Sequence, residues 1–295
     1  MENKFRSGYV SLTGRPNVGK STLLNKILGE KIAIVTPKPQ TTRNRIVGIK
    51  TLPDAQIVFL DTPGIHKPKH KLGEWMVRQA QGSFKDVDVI LFMVEPEEPS
   101  AGDRFIIDDL KGMNKPVFLL INKVDTVKKS QLLPVIDAYS KLCSFKEILP
   151  VSAVTGDGLD VLLKDIVEAL PEGPKYYPDD LVTDQYERFM ASEIIREKIM
   201  QQTGDEIPYS VAVEIISWAE RADGTVYIQA NIYVERDGQK GIIIGKDGAR
   251  LKAIGTSARL EIEELLSTKV FLELWVKIKK DWRSNDQILR ELGFK

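Results

Sequence analysis

The stretch GRPNVGKS, residues 14–21, decides how the first half of this chain is read. It closes the apolar run YVSLTG (9–14) and leads into the helix-like run STLLNKILG. The spacing Gly-x-x-x-x-Gly-Lys-Ser between a strand and a helix has a mechanical meaning. Gly14 and Gly19 let the backbone curl so that successive N–H groups face one point, and the helix N-terminus adds partial positive charge there. Such a loop suits a chain of phosphates. Lys20 reaches the β- and γ-phosphates, and the Ser21 hydroxyl is placed to ligate Mg²⁺. The expected phosphate-binding set is Gly14, Asn17, Val18, Gly19, Lys20, Ser21 and Thr22, joined further along by Asp61 and Gly64.

Working outward, QIVFLD (56–61), VDVILFMVE (87–95), PVFLLIN (116–122) and EILPVS (147–152) also read as strands. Several are apolar without alternation, as in strands buried on both faces. Between them GKSTLLNKILG, LGEWMVRQAQGSF, DRFIIDDLKGM, QLLPVIDAYSKL and GLDVLLKDIVEAL read as helices. Strand and helix in turn predict an α/β domain over residues 1–170, with a doubly wound, mostly parallel sheet. LPEGPKYYPDDL (170–181) interrupts the pattern with three prolines and a glycine, and predicts a linker over 171–181.

The loop at 14–21 does not choose a base. NKVD (122–125), at the end of an apolar strand, does. A buried Asp125 would accept two hydrogen bonds from the N1–H and N2–H₂ edge of guanine. Adenine lacks that donor pair and would leave the carboxylate unpaired. Asn122 suits the imidazole side of the base, and the Lys123 stem can lie along the ring. In VSA (151–153), Ser152 and the Ala153 N–H complete the guanine set, the latter within reach of O6. DTPG (61–64) offers Asp61 to Mg²⁺ and the Gly64 N–H to a γ-phosphate. PQTTRNR (39–45) offers Thr42 as a second Mg²⁺ hydroxyl, with Thr41 the competing choice. The expected metal set is therefore Ser21, Thr42 and Asp61. His66 and His70 are four apart, but Pro68 between them prevents a regular helix, and they read as part of a basic loop rather than a metal pair.

Composition is that of an ordinary globular chain: 295 residues, 42% hydrophobic, 28% charged, formal net charge zero. Charge is uneven, however. Residues 240–295 hold twelve Lys/Arg against eight Asp/Glu. The single cysteine, Cys143, excludes an internal disulfide framework and fits a reducing compartment. No signal-peptide-like stretch or run of about 18 apolar residues is present, so a cytoplasmic location is expected.

The second half has a different order. Residues 182–202 read as a helix, while SVAVEII (210–216), TVYIQANIYVER (225–236) and KVFLELWVKIK (269–279) alternate as strands half-buried on a core. A helix is expected from about 249 to 266 and a short one over 283–292. The order α-β-β-α-α-β predicts an α+β domain over 182–295 with a small antiparallel sheet, one face solvated and the other covered by helices. Within it, GIIIGKDG (241–248) fails as a second phosphate loop. Only three residues separate Gly241 from Gly245, and Asp247 stands where a Mg²⁺-binding hydroxyl would be needed. The shorter Gly245-Lys246-Asp247-Gly248 is a G-x-x-G between two helices, the setting in which a KH domain clamps about four nucleotides of backbone. Lys246 supplies a phosphate contact and Ile243 and Ile244 a floor, and the expected RNA-binding set here is Ile243, Ile244, Gly245, Lys246, Asp247, Gly248 and Arg250. In the trailing KIKKDWRSN, Lys279, Lys280 and Arg283 surround Trp282, a combination suited to base stacking and phosphate contact.

The motifs GRPNVGKS, the Thr pair, DTPG, NKVD and VSA occur in GTPase order, and the first domain resembles the TRAFAC GTPases. With the type II KH arrangement behind it, the whole chain is similar to the Era family. That resemblance implies GTP hydrolysis to GDP as a conformational switch, with slow intrinsic turnover. It also implies binding of small-subunit (16S-type) rRNA near its 3′ end during 30S subunit assembly, a monomer, and peripheral association with the inner face of the cell membrane, for which no anchor is visible here. A signalling GTPase whose C-terminal domain binds a protein or membrane partner is the alternative. One position departs from the Ras-like pattern: Ile65 follows DTPG where a water-orienting Gln would stand, so the catalytic group is unknown from the sequence. Asn17 sits where potassium-activated relatives carry an Asn, which points to K⁺ as a second cation.

Overall fold

The computed structural model describes residues 5–204 and 206–294. The chain divides into two compact units. The first comprises Met1–Ala33, Thr42–Pro68 and Gly73–Asp184, and the second Ile34–Thr41, Lys69–Leu72 and Gln185–Lys295.

The first unit contains β1 (Arg6–Gly14), α1 (Lys20–Leu28), β2 (Ile46–Thr51), β3 (Ala55–Asp61), α2 (Lys71–Ser83) from Gly73 onward, β4 (Val89–Val94), α3 (Ala101–Leu110), β5 (Val117–Ile121), α4 (Leu132–Ser140), β6 (Glu147–Pro150) and α5 (Leu159–Ala169). Its sheet runs β2-β3-β1-β4-β5-β6. Every pairing is parallel except β2 with β3. β3 and β4 are buried along their whole length, which is why their sequences are apolar without alternation. On one face Val58, Ile90, Phe92, Leu119 and Ile121 pack with Ile106 and Ile107 of α3 and Tyr139 of α4.

The structure adds one strand and revises one expectation. β2 had no place in the sequence reading, because RIVGIKT is short and carries a central Gly48. That glycine lies directly against Leu24, Leu28 and Ile32, so the missing side chain is what lets the strand sit on α1. The segment expected as a linker is bound to the first unit. Ser7 and Gly173 hydrogen-bond the backbones of Pro171 and Phe5, the Gln56 side chain accepts from the N–H groups of Tyr176 and Tyr177, and the Ile49 N–H donates to the Val182 carbonyl. Val182 and Thr183, whose hydroxyl donates to the Val47 carbonyl at 2.6 Å, pair with β2 at the edge of the sheet, and the division between units falls after Asp184.

The second unit contains α6 (Glu187–Gln202), α7 (Ile207–Ser210), β7 (Ala212–Glu220), β8 (Val226–Val234), α8 (Asp237–Ile244), α9 (Ala249–Leu266), β9 (Val270–Ile278) and α10 (Asp286–Glu291). Its sheet, β7-β8-β9, is mixed rather than antiparallel: β7 pairs antiparallel with β8, but β9 pairs parallel with it. The return through α8 and α9 forces this, since a helical crossover brings the chain back in the same direction. Ile228, Ala230, Ile232 and Val234 of β8 pack against Ile195 and Ile199 of α6 and Ile254, Ala258 and Ile262 of α9. Ile243, expected as a floor for a ligand, is fully buried in this core. Trp282 is also fully buried, stacked 6.2 Å from Phe294, with its indole N–H donating to the Ser210 carbonyl at 2.8 Å. It is a core residue and cannot stack on a base. Among the described residues no helix is long and apolar enough to cross a membrane.

Trp282→Ala should therefore destabilise the second unit by about 3–5 kcal/mol, the usual cost of emptying a buried Trp site. Urea unfolding followed through residues of that unit checks this, and a change below about 1 kcal/mol would mean the ring is not held as described.

Candidate functional site

Because β1, β3, β5 and β6 run the same way, the loops that follow them emerge at one edge of the sheet, where strand order reverses around β1. That edge collects four of the motifs.

Lys20 opens α1 with its side chain folded over its own loop, where Nζ donates to the carbonyls of Arg15 (3.0 Å) and Gly14 (3.3 Å). Burial pushes its pKa down to about 8, with the Asp61 charge working against that fall. Asp61, at the end of β3, is fully buried, and burial raises its carboxyl while Lys20, Ser21 and Thr42 oppose the rise. Ser21 Oγ donates to Asp61 Oδ2 at 2.6 Å and lies 2.8 Å from Thr42 Oγ1, which itself lies 3.4 Å from the same carboxylate oxygen. Asp61 Oδ1 is buried with no hydrogen-bond partner. Two hydroxyls and a carboxylate with an orphaned oxygen form an all-oxygen donor set, which fits Mg²⁺. Thr41 is turned elsewhere: its hydroxyl donates to the Lys38 carbonyl, so Thr42 is the threonine brought to Ser21 and Asp61. Val18 is buried, Thr22 half-buried, and Asn17 exposed in a left-handed conformation (φ 65). Gly64 packs against Pro16 of the phosphate loop. The Ile65 N–H donates to Gly14, and its side chain belongs to the core, so it presents nothing to a water. Among the described residues no cluster of three or more His, Cys, Asp or Glu forms a metal centre, and His66 lies with Nδ1 2.9 Å from the Gly64 carbonyl.

On the base side the structure redistributes the expected roles. Asn122 is buried, and both ends of its amide are occupied by protein: Nδ2 donates to the Val18 carbonyl (2.7 Å) and Oδ1 accepts from the Ala153 N–H (2.9 Å). It therefore joins the loops, and the Ala153 N–H is directed at Asn122, not at a ligand. The junction needs a glycine beside it, since a Cβ on Gly19 would stand 2.3 Å from Asn122 Nδ2. Asp125 was expected to be buried but is exposed, with Oδ1 accepting from the buried Ser152 hydroxyl at 2.6 Å. A base would itself have to cover that carboxylate. Lys123, held at φ 62, pairs through Nζ with Glu95.

The second unit has its own candidate face. Gly245 (φ 75) admits no side chain, because its Cβ would meet that of Arg250 at 2.7 Å. Lys246 and Asp247 project into solvent, the latter in a left-handed conformation (φ 51), and Ile244 is half-buried behind them. Arg250 is committed to the end of α8, where Nη1 donates to the Ile242 carbonyl at 2.6 Å. In the C-terminal basic cluster Lys279 pairs with Glu291 (3.1 Å) and Arg283 with Glu235 (2.5 Å), while Lys280 is exposed. Sequence reading missed a groove of about 400 Å³ beside the G-x-x-G loop, lined by Gly248, Leu251, Lys252, Gly255, Arg259 and Leu274 among others. A signal existed: 248, 251/252, 255 and 259 share one face of α9 at helical spacing, and Gly255 leaves room against Leu274.

The Lys20 shift gives a pH prediction. With protein groups alone around it the ammonium holds its proton only to pH about 8, whereas a triphosphate beside it would hold that proton to higher pH. Nucleotide affinity should be flat below that point and weaken above it by up to about tenfold per pH unit, with uptake of one proton. Titration calorimetry at pH 9 in two buffers of different ionisation heat checks this, and no proton uptake would remove Lys20 from phosphate binding.

Comparison with known proteins agrees with both halves. The 50S ribosome-binding GTPase family matches residues 9–123 and the KH domain family residues 206–283. GTPase Era of Geobacter metallireducens is 57% identical over 295 residues, covering 99% of each chain. That of Ruminiclostridium cellulolyticum is 55% identical over 292 residues, covering 99% of this chain and 98% of the relative. A crystal structure of Era in complex with MgGDPNP and nucleotides 1506–1542 of 16S ribosomal RNA superposes with a TM-score of 0.96 at 45% identity, covering 98% of this chain and 99% of that one. An Aquifex aeolicus Era variant bound to GDP and AlF₄⁻ gives 0.95 at the same identity and coverage. With whole-length identity at this level and both domains accounted for, the chain belongs to the Era GTPase family.

Proposed function

We propose that this chain binds and hydrolyses GTP with Mg²⁺ in its first unit and binds the 3′-terminal region of small-subunit rRNA through its second, the nucleotide state biasing the RNA affinity. The observation that carries the nucleotide half is the convergence of Lys20, Ser21, Thr42 and the unpartnered Asp61 oxygen at one sheet edge, with Asp125 and Ser152 at the base end. When bound, Mg²⁺ neutralises charge on the β- and γ-phosphate oxygens. Lys20 binds the phosphates, the N-terminus of α1 orients them, and Asp125 selects guanine. With Ile65 in the core, no side chain after DTPG orients water, which supports slow turnover. Asn17, exposed at the lip of the loop, supports K⁺ as an additional charge beside the phosphates.

Support for coupling lies in the second unit. There Ile34–Thr41 is fastened to α6: Glu197 accepts from the Val35 N–H at 2.9 Å, Lys38 caps the carbonyls of Met200 and Thr203, and Arg196 donates to the Thr41 carbonyl. Thr41 directly precedes Thr42 in the chain, which supports a link between the nucleotide state and this segment.

Lys246→Asp tests the RNA half. It places two adjacent carboxylates in an exposed turn, so the fold should survive and GTP affinity should be unchanged. Affinity for a single-stranded RNA of the 16S 3′ sequence should fall at least about tenfold, with the salt-dependence slope reduced by roughly 0.7. Unchanged RNA binding would remove Lys246 and its loop from the RNA-binding role. Exchanging K⁺ for Na⁺ should slow GTP hydrolysis, and equal rates would dismiss the potassium role.

A further inference from the structure

The lysine of NKVD has an anchor that no motif names. Lys123 is held in a left-handed conformation, which fixes the direction in which its side chain leaves the backbone. Its Nζ donates to Oε1 of Glu95, the residue directly after β4. The other Glu95 oxygen faces Nη2 of Arg15, in the phosphate loop, at 3.7 Å. Arg15 is itself anchored: Nε donates to Asp103 Oδ1 at 2.8 Å. Asp103 is fully buried in the first turn of α3, where Oδ2 accepts from the Ser100 N–H (3.0 Å) and hydroxyl (2.6 Å) as one half of a capping box. The Arg15 stem lies on that turn because residue 102 is a glycine, where a Cβ would stand 2.9 Å from Arg15 Cδ.

The line Asp103–Arg15–Glu95–Lys123 thus links a rigid helix start to the phosphate loop, the end of β4 and the base-reading loop, all in the first unit. Glu95 and Lys123 are partly exposed, so their pairing adds little to stability. Its consequence is geometric. A lysine tied at its far end keeps its methylene stem extended, and a stem held in place can cover a purine ring without losing rotamer freedom on binding. We infer that Glu95 is a positioning residue for the guanine base, acting through Lys123, with Arg15 and Asp103 holding the Glu95 carboxylate in place. The inference rests on the GTP-binding reading above.

The experiment measures GDP affinity and inhibition by inorganic tripolyphosphate for the full chain and its variants. GDP affinity of the unaltered chain tests the GTP-binding reading; the differences between variants test the role of Glu95. Glu95→Gln should weaken GDP about tenfold, the worth of one charge-assisted hydrogen bond. It should leave tripolyphosphate, which has no base, within about twofold, and the thermal midpoint unchanged. Glu95→Asp, which keeps the charge, should recover most of the loss. In a Lys123→Met background Glu95→Gln should have no further effect on GDP. Parental GDP affinity in Glu95→Gln would overturn the inference. So would an equal loss for tripolyphosphate, which would route the effect through Arg15 and the phosphate loop, or losses that simply add in the double variant.

Discussion

The side-chain amide of Asn122 holds the first site together. It lies at the end of β5, reaches back to the Val18 carbonyl and forward to the Ala153 N–H, and so fixes the phosphate loop and the loop after β6 to one strand. An amide can do this because it carries a donor and an acceptor on one rigid plane. The arrangement is also self-enforcing. At 2% exposure, either end left unpaired would cost about 1–3 kcal/mol. The side chain occupies the space that a Cβ on Gly19 would need, so the second glycine of the phosphate loop answers a demand made about 100 residues later in the chain.

Around that junction the site is electrostatically unfinished. Lys20 and Asp61 are both buried, each stabilised in its charged form mainly by the other, and burial moves both away from their ordinary pKa values. One carboxylate oxygen has nothing to bond. Charges, hydroxyls and helix N-terminus are thus aligned in advance for an anion and a small hard cation, with little reorganisation left to make on binding. The same loop reaches α3 through Arg15 and Asp103, so the phosphate loop is braced from two directions.

In the second unit the constraint is packing. α6 and α9 cover one face of the mixed sheet with Ile and Ala side chains, and β8 contributes every second residue to that core. α9 meets β9 both through Glu263, which accepts from the Val270 N–H at 3.0 Å, and through a small residue. Gly255 stands 3.4 Å, measured from an ideal Cβ, from Leu274, and the space left beside it becomes the groove next to the G-x-x-G loop. The loop carries its two glycines at φ 75 and 76, so Lys246 and Asp247 are lifted into solvent rather than folded against α9.

What the sequence determined by itself was whatever is encoded locally. Buried parallel strands announce themselves as apolar runs, amphipathic helices by their period, and the two glycine loops by residues whose backbone demands no other type can meet. The α/β and KH-like halves, the phosphate loop and the approach of Ser21 and Asp61 were all legible for that reason. What only the tertiary structure decided depends on partners distant in the chain. A central glycine hid β2, whose place is set by Leu24 and Leu28. The Pro-rich segment has the composition of a linker, yet its backbone is bonded along the first unit. Trp282 looked like a ligand contact because basic residues flank it, yet Ser210 and Phe294 enclose it. Asn122 and Ala153 looked like base readers and bond each other, while Asp125 lies open. A side chain's type is written in the sequence, but which of several hydrogen-bond partners it takes is settled only when burial removes water as the alternative.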